Sequence, residues 1–216
     1  MTIINIPPTR SNLLQMKNKL EFTRDGYNIL EKKREILTTE LLQIADQADA
    51  LQNEVWELIT FAYQALEKAR LTMGQEHVEW AALAVAKSVD VIIRIRSTMG
   101  VSLPRIEARG EPPELSYSLG STTVELDESN AAFRHVLEKT PQLTELVSSV
   151  WRLAHELKQT QRRVKALERI FIPNYEETIR FIEDTLEEHE REETFRLKWL
   201  KNKREAEEVQ PIRSVQ

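Results

Sequence analysis

Counted alternately three and four residues from Leu13, apolar side chains recur along the whole first third of the chain. One row of seam positions holds Leu13, Leu20, Tyr27, Arg34, Leu41, Ala48, Val55, Ala62 and Ala69. The alternate row holds Met16, Thr23, Leu30, Leu37, Ile44, Leu51, Leu58, Ala65 and Thr72. Only Arg34, Thr23 and Thr72 depart from apolar or tyrosine character, and a heptad sustained this long predicts a coiled-coil helix. No proline lies between Ser11 and Met73, and Gly26 is the one glycine there. About 60 helical residues rising 1.5 Å each predict an arm of roughly 90 Å.

A second arm repeats the alternation through Phe133, Val136, Leu143, Val147, Val150, Ala154, Leu157, Val164 and Phe171, with Thr140, Gln161 and Glu168 as polar interruptions. Thr140-Pro141 reads as an N-cap followed by proline at the first helical position, which predicts a kink or a restart after a short helix from about Ser129. The arm then runs to about Glu208. Pro173 stands inside it, where the missing N–H and the ring crowd the carbonyl of Arg169 at a cost of about 3 kcal/mol in a regular helix. Around it the stripe steps Phe171, Tyr175, Ile179, two fours in succession, a stutter that locally unwinds a left-handed supercoil. A kink at Pro173 within a continuous helix is the expectation.

Between the arms the character changes. Gly74, Gly100, Gly110, Gly120, Pro104, Pro112 and Pro113 cluster there. VDVIIRIRS (89–97) reads as a strand, STTVEL (121–126) as a second short strand, and HVEWAALAVA (77–86) as a short helix. The fold expected is mainly α: a long antiparallel two-helix coiled coil formed by the N- and C-terminal arms, with a small α/β head containing a short β-hairpin inserted between them. The segments are 1–73, 74–128, 129–208 and a flexible tail, 209–216. A lone hairpin is marginally stable, so the head needs support. Trp56, Ile59, Phe61, Tyr63 and Leu66 widen the apolar stripe near the head, with Trp151 expected nearby. This face either packs against the head or docks a partner protein.

Composition sharpens the picture. Five glycines in 216 residues fall well below the roughly 7% of average usage, and 30% charged residues lean toward long helices. The absence of cysteine excludes disulfides, thiolate zinc sites and cysteine nucleophiles. No basic-then-apolar leader opens the chain and no apolar run is long enough for a membrane span. A net charge of −5 without long single-sign blocks gives no electrostatic basis for binding nucleic acid or an anionic membrane surface, and no direct membrane insertion is expected. His77, His135, His155 and His189 are scattered, HERE and HELK fail to complete a zinc motif, and no phosphate-cradling glycine loop occurs. The acidic run 183–193 reads as a solvated helix face. No catalytic, cofactor or metal site is expected.

The landmarks resemble those of a family, the D subunits of V-type and A-type rotary ATPases. PTRSNLLQMKNKL (8–20) is similar to that family's opening segment, and ILEKKREIL (29–37) to its basic block. MGVSLPRI (99–106) is similar to a short stretch in the head, and QRRVKALERIFIP (161–173) is similar to its RRVNALE-x-x-x-IP signature, Lys165 replacing the usual asparagine. The likeness spans almost the whole chain in order. It implies a central-stalk rotor that carries torque between ATP hydrolysis or synthesis in a catalytic ring and H⁺ or Na⁺ transport in a membrane ring. The implied partners are the F subunit of the stalk, the A and B subunits of the ring, and the subunit capping the membrane rotor ring. The implied location is cytoplasmic and peripheral to the membrane, with no cofactor.

Three site expectations accompany this reading. Arg10, Arg191, Arg196, Lys198, Lys201 and Lys203 gather charge at the free end, as contacts for the catalytic ring or as ordinary solvated cations. Arg34 and Glu168 form a polar pair on the two seams that sets register rather than stability. The Trp56–Leu66 face with Trp151 receives the head or a partner subunit. A prefoldin-like coiled-coil chaperone subunit is the alternative, and it predicts apolar rather than charged arm tips.

Overall fold

The computed structural model describes residues 4, 6–84, 89–110, 117 and 122–209, with side chains as far as 205. Its elements in chain order are α1 (Arg10–Met73), α2 (Gln75–Ala84), β1 (Asp90–Thr98), β2 (Val101–Arg109), α3 (Val124–Ala166), a π-helical turn (Leu167–Phe171) and α4 (Ile172–Val209). Each boundary has a local cause. Thr9 caps α1, its hydroxyl accepting from the Asn12 N–H at 3.2 Å. Gly74, at φ +82°, ends α1 in the left-handed conformation, and its N–H returns to the Arg70 carbonyl at 2.9 Å. The Thr123 carbonyl opens α3, accepting from Leu126 at 3.0 Å, and Glu125 and Asp127 set negative charge against the helix N-terminus. Among the described residues no helix is long and apolar enough to cross a membrane.

The chain divides into two compact units, Lys33–Gln159 and the pair of segments Met1–Lys32 and Thr160–Gln216. In the second of these, α1 pairs antiparallel with α4. Met16, Ile179 and Ile182 are buried, with Leu13, Leu20, Tyr175 and Leu186 packed around them. Ion pairs Lys17–Glu183 (2.7 Å) and Arg24–Glu176 (2.6 Å), with Arg10–Glu190, step seven residues up one helix and seven down the other. The spacing is that of an antiparallel heptad register. Buried Thr178 donates to the Asn174 carbonyl and accepts from the Ile4 N–H at 3.2 Å, tying the N-terminal strap to α4.

In the unit Lys33–Gln159, α1 pairs with α3 and carries the hairpin on its flank. Leu37, Ile44, Leu153, Val101 and Leu103 form one buried cluster, with Leu41, Leu146, Val150 and Leu157 against it. A second cluster joins Ala69 of α1, Val78 of α2 and Leu126 of α3. Lys33–Glu156 (2.7 Å) and Glu54–Lys139 (3.0 Å) cross between the helices.

Several expectations meet their outcome here. Every buried apolar residue of α1 (Met16, Leu37, Ile44, Ala48, Val55, Ala62, Ala65, Ala69) occupies one of the two counted rows. In α3 the buried residues are Leu126, Ser129, Ala132, Ser149, Leu153, Thr160 and Val164; Val164 lies on the counted seam, while Ala132, Ser149, Leu153 and Thr160 each precede a seam position by one residue. The stripe there faces both α1 and the hairpin, so its midline, not its most apolar residues, is buried. The strand expected at 121–126 is absent, since Val124 already begins α3; β1 pairs instead with β2. No restart occurs at Pro141, which lies inside α3, and Thr140 behaves as a helix-interior threonine, its hydroxyl donating to the Val136 carbonyl at 2.7 Å. The helix from Val124 to Val209 passes Pro173 through a π-helical turn, in which the Ile172 N–H reaches back five residues to the Leu167 carbonyl. The tail expected at 209–216 lies outside the described residues apart from Val209.

Candidate interaction surfaces

The end of α4 outlasts its partner. Glu190 pairs with Arg10, the first residue of α1, so everything beyond it is a single helix, and residues 191–205 are exposed throughout. The cations expected to act here are largely engaged within their own helix. Arg191 lies 3.4 Å from Glu187, Arg196 3.6 Å from Glu192, and Lys201 3.7 Å from Glu205. Lys203 stands over the Trp199 ring at 5.6 Å. Lys198 forms no ion pair among the described residues and lines a surface groove with Thr194 and Phe195. Exposed pairs of this kind contribute about 0–1 kcal/mol.

What the charge-based reading missed is apolar. Phe195, Leu197, Trp199 and Leu200 are 73%, 68%, 57% and 50% exposed, four large side chains within six residues of an unpartnered helix. Such a concentration on a soluble surface marks a contact site. A sequence signal existed: Leu200, with Leu197 three residues before it, continues the three-four alternation of Ile182 and Leu186 past the point where α1 has residues left to face it.

The aromatic face near the head resolves into parts. Leu66 packs against the Ala69, Val78 and Leu126 cluster. The Tyr63 ring meets Phe133 edge-on, with centroids 5.4 Å apart, and Ile59 is half-buried. Trp56, Phe61 and Trp151 stay mostly exposed. Trp151 is not opposite Trp56: the Glu54–Lys139 pair puts the Leu137 region at that level, about 20 Å along α3 from Trp151 at 1.5 Å per residue. Arg34 and Glu168 fall in different units. Beside Arg34, Lys33 forms a half-buried cross-helix charge pair with Glu156.

Two perturbed titrating groups stand at the start of α3. Burial, then a 2.7 Å hydrogen bond to Asp127 and that carboxylate's charge, push the Tyr117 hydroxyl up to about 12. Glu125 is held below its usual value by its own backbone N–H and the Thr123 hydroxyl. Both are helix-start interactions. Among the described residues no group of three or more His, Asp or Glu is placed to hold a metal ion.

Comparison with known proteins agrees with a paired-helix subunit. Residues 12–202 match the family model for the D subunit of ATP synthase. The chain is 41% identical over 200 residues to the V-type ATP synthase D subunit of Thermotoga neapolitana, covering 93% of this chain and 98% of that one. It is 38% identical over 202 residues to the A-type ATP synthase D subunit of Thermococcus sibiricus (92% and 94% covered), and 36% over 209 residues to that of Pyrococcus furiosus (95% and 98%). With its two long arms, its hairpin and a match that runs nearly end to end, the chain belongs to the D-subunit family of V-type and A-type ATP synthases, the non-catalytic stalk subunits of a rotary ATPase.

Proposed function

We propose that this subunit is the central rotor shaft, transmitting torque between ATP chemistry in the catalytic ring and H⁺ or Na⁺ movement in the membrane ring. The observation that carries this is the unpartnered end of α4, where exposed Phe195, Leu197, Trp199 and Leu200 alternate with cations. A helix tip of this composition suits insertion into an apolar collar: burial supplies about 25 cal/mol per Å² of apolar surface, while Arg191, Arg196, Lys198, Lys201 and Lys203, with Arg10, steer the tip toward acidic loops of the A and B subunits. The hairpin and α2 face the F subunit and the cap of the membrane rotor ring, and Trp56, Phe61 and Trp151 belong to that stalk interface. The subunit is peripheral to the membrane on its cytoplasmic side, as part of the ATPase complex. The shaft resists twisting because its helices are hydrogen-bonded continuously and zipped along apolar seams.

The triple substitution F195A/W199A/L200A in the assembled ATPase tests this. The expected result is at least a tenfold drop in ATP-driven ion pumping per ATP hydrolysed, with the other stalk subunits still bound. Unchanged coupling and unchanged retention of the subunit in the ring would refute the tip as the seat of torque.

A further inference from the structure

The two edges of the hairpin are treated differently. Thr98 and Val101 are the closing pair of a two-residue turn, and such a pair exchanges both backbone hydrogen bonds. Alternate residues therefore point their N–H and C=O groups away from the partner strand. On β2 these are Ser102, Pro104, Ile106 and Ala108, and each of the first three has one outward group engaged or missing. The Ser102 carbonyl accepts from Arg152 at 2.8 Å, Pro104 has no N–H, and the Ile106 N–H donates to Glu145 at 2.9 Å. On β1 the outward residues are Val91, Ile93, Ile95 and Ser97. Their backbone groups have no partner among the described residues, and β1 contains no proline, glycine, lysine or bulge. Devices that blunt an edge strand thus act on three of the four outward residues of β2, whereas among the described residues no proline and no helix side chain does the same on β1.

The side chains of the same residues point one way. Val91, Ile93 and Ile95 are 56%, 65% and 70% exposed, and their cross-strand partners Ala108, Ile106 and Pro104 are apolar too. The other face of β1 offers Arg94 and Arg96. Arg94 is 60% exposed, 3.6 Å from Glu107. Arg96 lines a groove with Glu35 and Glu40 and forms no ion pair among the described residues. We propose that β1 is a docking edge that accepts a third strand from another protein, an extended segment alternating apolar residues with acidic ones. The apolar residues would cover Val91, Ile93 and Ile95. The acidic ones would sit opposite Arg94 and Arg96, at positions where β1 makes no outward hydrogen bonds and side chains approach most closely. A second copy of this chain is a poorer occupant, because full-length antiparallel self-pairing of Val91–Ser97 sets Arg94 against itself.

The test is residue-resolved amide exchange on the isolated chain and on the purified ATPase complex. It reads hairpin pairing, not coupling, and so stands apart from the test of the α4 tip. In the isolated chain the Ile92, Arg94 and Arg96 amides should be protected and the Ile93, Ile95 and Ser97 amides fast. In the complex the fast set should slow at least tenfold. I95P, which places a proline directly across from Pro104 and removes only an outward N–H, should abolish that slowing while leaving Ile92 and Arg96 protected. I95T, which keeps the N–H, should retain most of it. R94E/R96E should reduce it. Outward amides as fast in the complex as in the isolated chain would overturn the proposal. So would a concentration-dependent dimer of the isolated chain that I95P dissolves, which would assign the edge to a second copy.

Discussion

Met99 and Gly100 occupy the hairpin turn with φ of 51° and 79°. Positive φ at both central residues is the type I′ arrangement, which matches strand twist but costs an ordinary L-residue about 1–2 kcal/mol. Gly100 is free of that cost and Met99 is not. M99N should therefore stabilise the hairpin by about 0.5–1 kcal/mol, read as slower exchange of the Thr98 and Val101 amides, and G100A should weaken it by a similar amount. Tyr117 supplies a pH prediction. Its hydroxyl keeps its proton to about pH 12 in the fold, against 10 ordinarily. Between these values the unfolded chain has released a proton that the folded chain retains, so stability falls as pH rises. Y117F should flatten the decline in an alkaline unfolding series. Neither residue was legible beforehand: Met-Gly is a weak turn signal, and the Tyr117 shift depends on a partner ten residues away that only folding brings near.

At the scale of elements, the π-helical turn explains how a proline lives inside a long helix. Ile172 bonds five residues back, and the next residue on that wide ladder is Pro173, which has no N–H to offer. The extra residue of the π turn absorbs the place where a regular ladder would be short of a donor. Deleting Arg169 should convert the turn to plain α-helix and restore the full proline penalty, destabilising the chain by about 3 kcal/mol. P173A should rescue most of that loss in the deletion background and be nearly neutral alone; equal effects in both backgrounds, by denaturant unfolding, would detach the turn from the proline. The stutter Phe171–Tyr175–Ile179 announced irregular winding here, although hydrophobic spacing does not distinguish a supercoil adjustment from one extra residue in a turn. The hairpin was half legible. β1 had the β-branched run expected of a strand, whereas VSLPRI carries a proline that argues against a strand interior; it is tolerated because Pro104 points its missing donor outward. L103A, which empties a fully buried site shared by the hairpin and both helices, should cost about 2–5 kcal/mol.

At the scale of the molecule, the two compact units are each held by their own cluster, which predicts separable local stability. I182A should accelerate amide exchange across 13–20 and 175–186 and leave the Val101 and Leu103 amides at their original rates. L103A should do the reverse. Uniform acceleration by both variants would show a single cooperative unit. The arms' exposed ion pairs contribute little to this stability. Their seven-residue stepping, Arg10–Glu190, Lys17–Glu183 and Arg24–Glu176, favours this register: one residue back along α4 the same cations would face His189, Ile182 and Tyr175.

The heptad rows of α1, the antiparallel return, the strand β1 and the family signature around Pro173 were all determined by the sequence alone. A three-four repeat dictates which face of a helix is apolar, and an apolar face has to be buried. Tertiary structure alone decided which midline of α3 is buried, which strand partners β1, and where α4 runs out of a partner. Those outcomes depend on a third surface arriving at the same stripe: the hairpin lies against Leu37, Ile44 and Leu153 through Leu103, and in doing so protects one of its edges with Glu145 and Arg152 and leaves the other open. Periodicity along one segment carries no information about the edge of another.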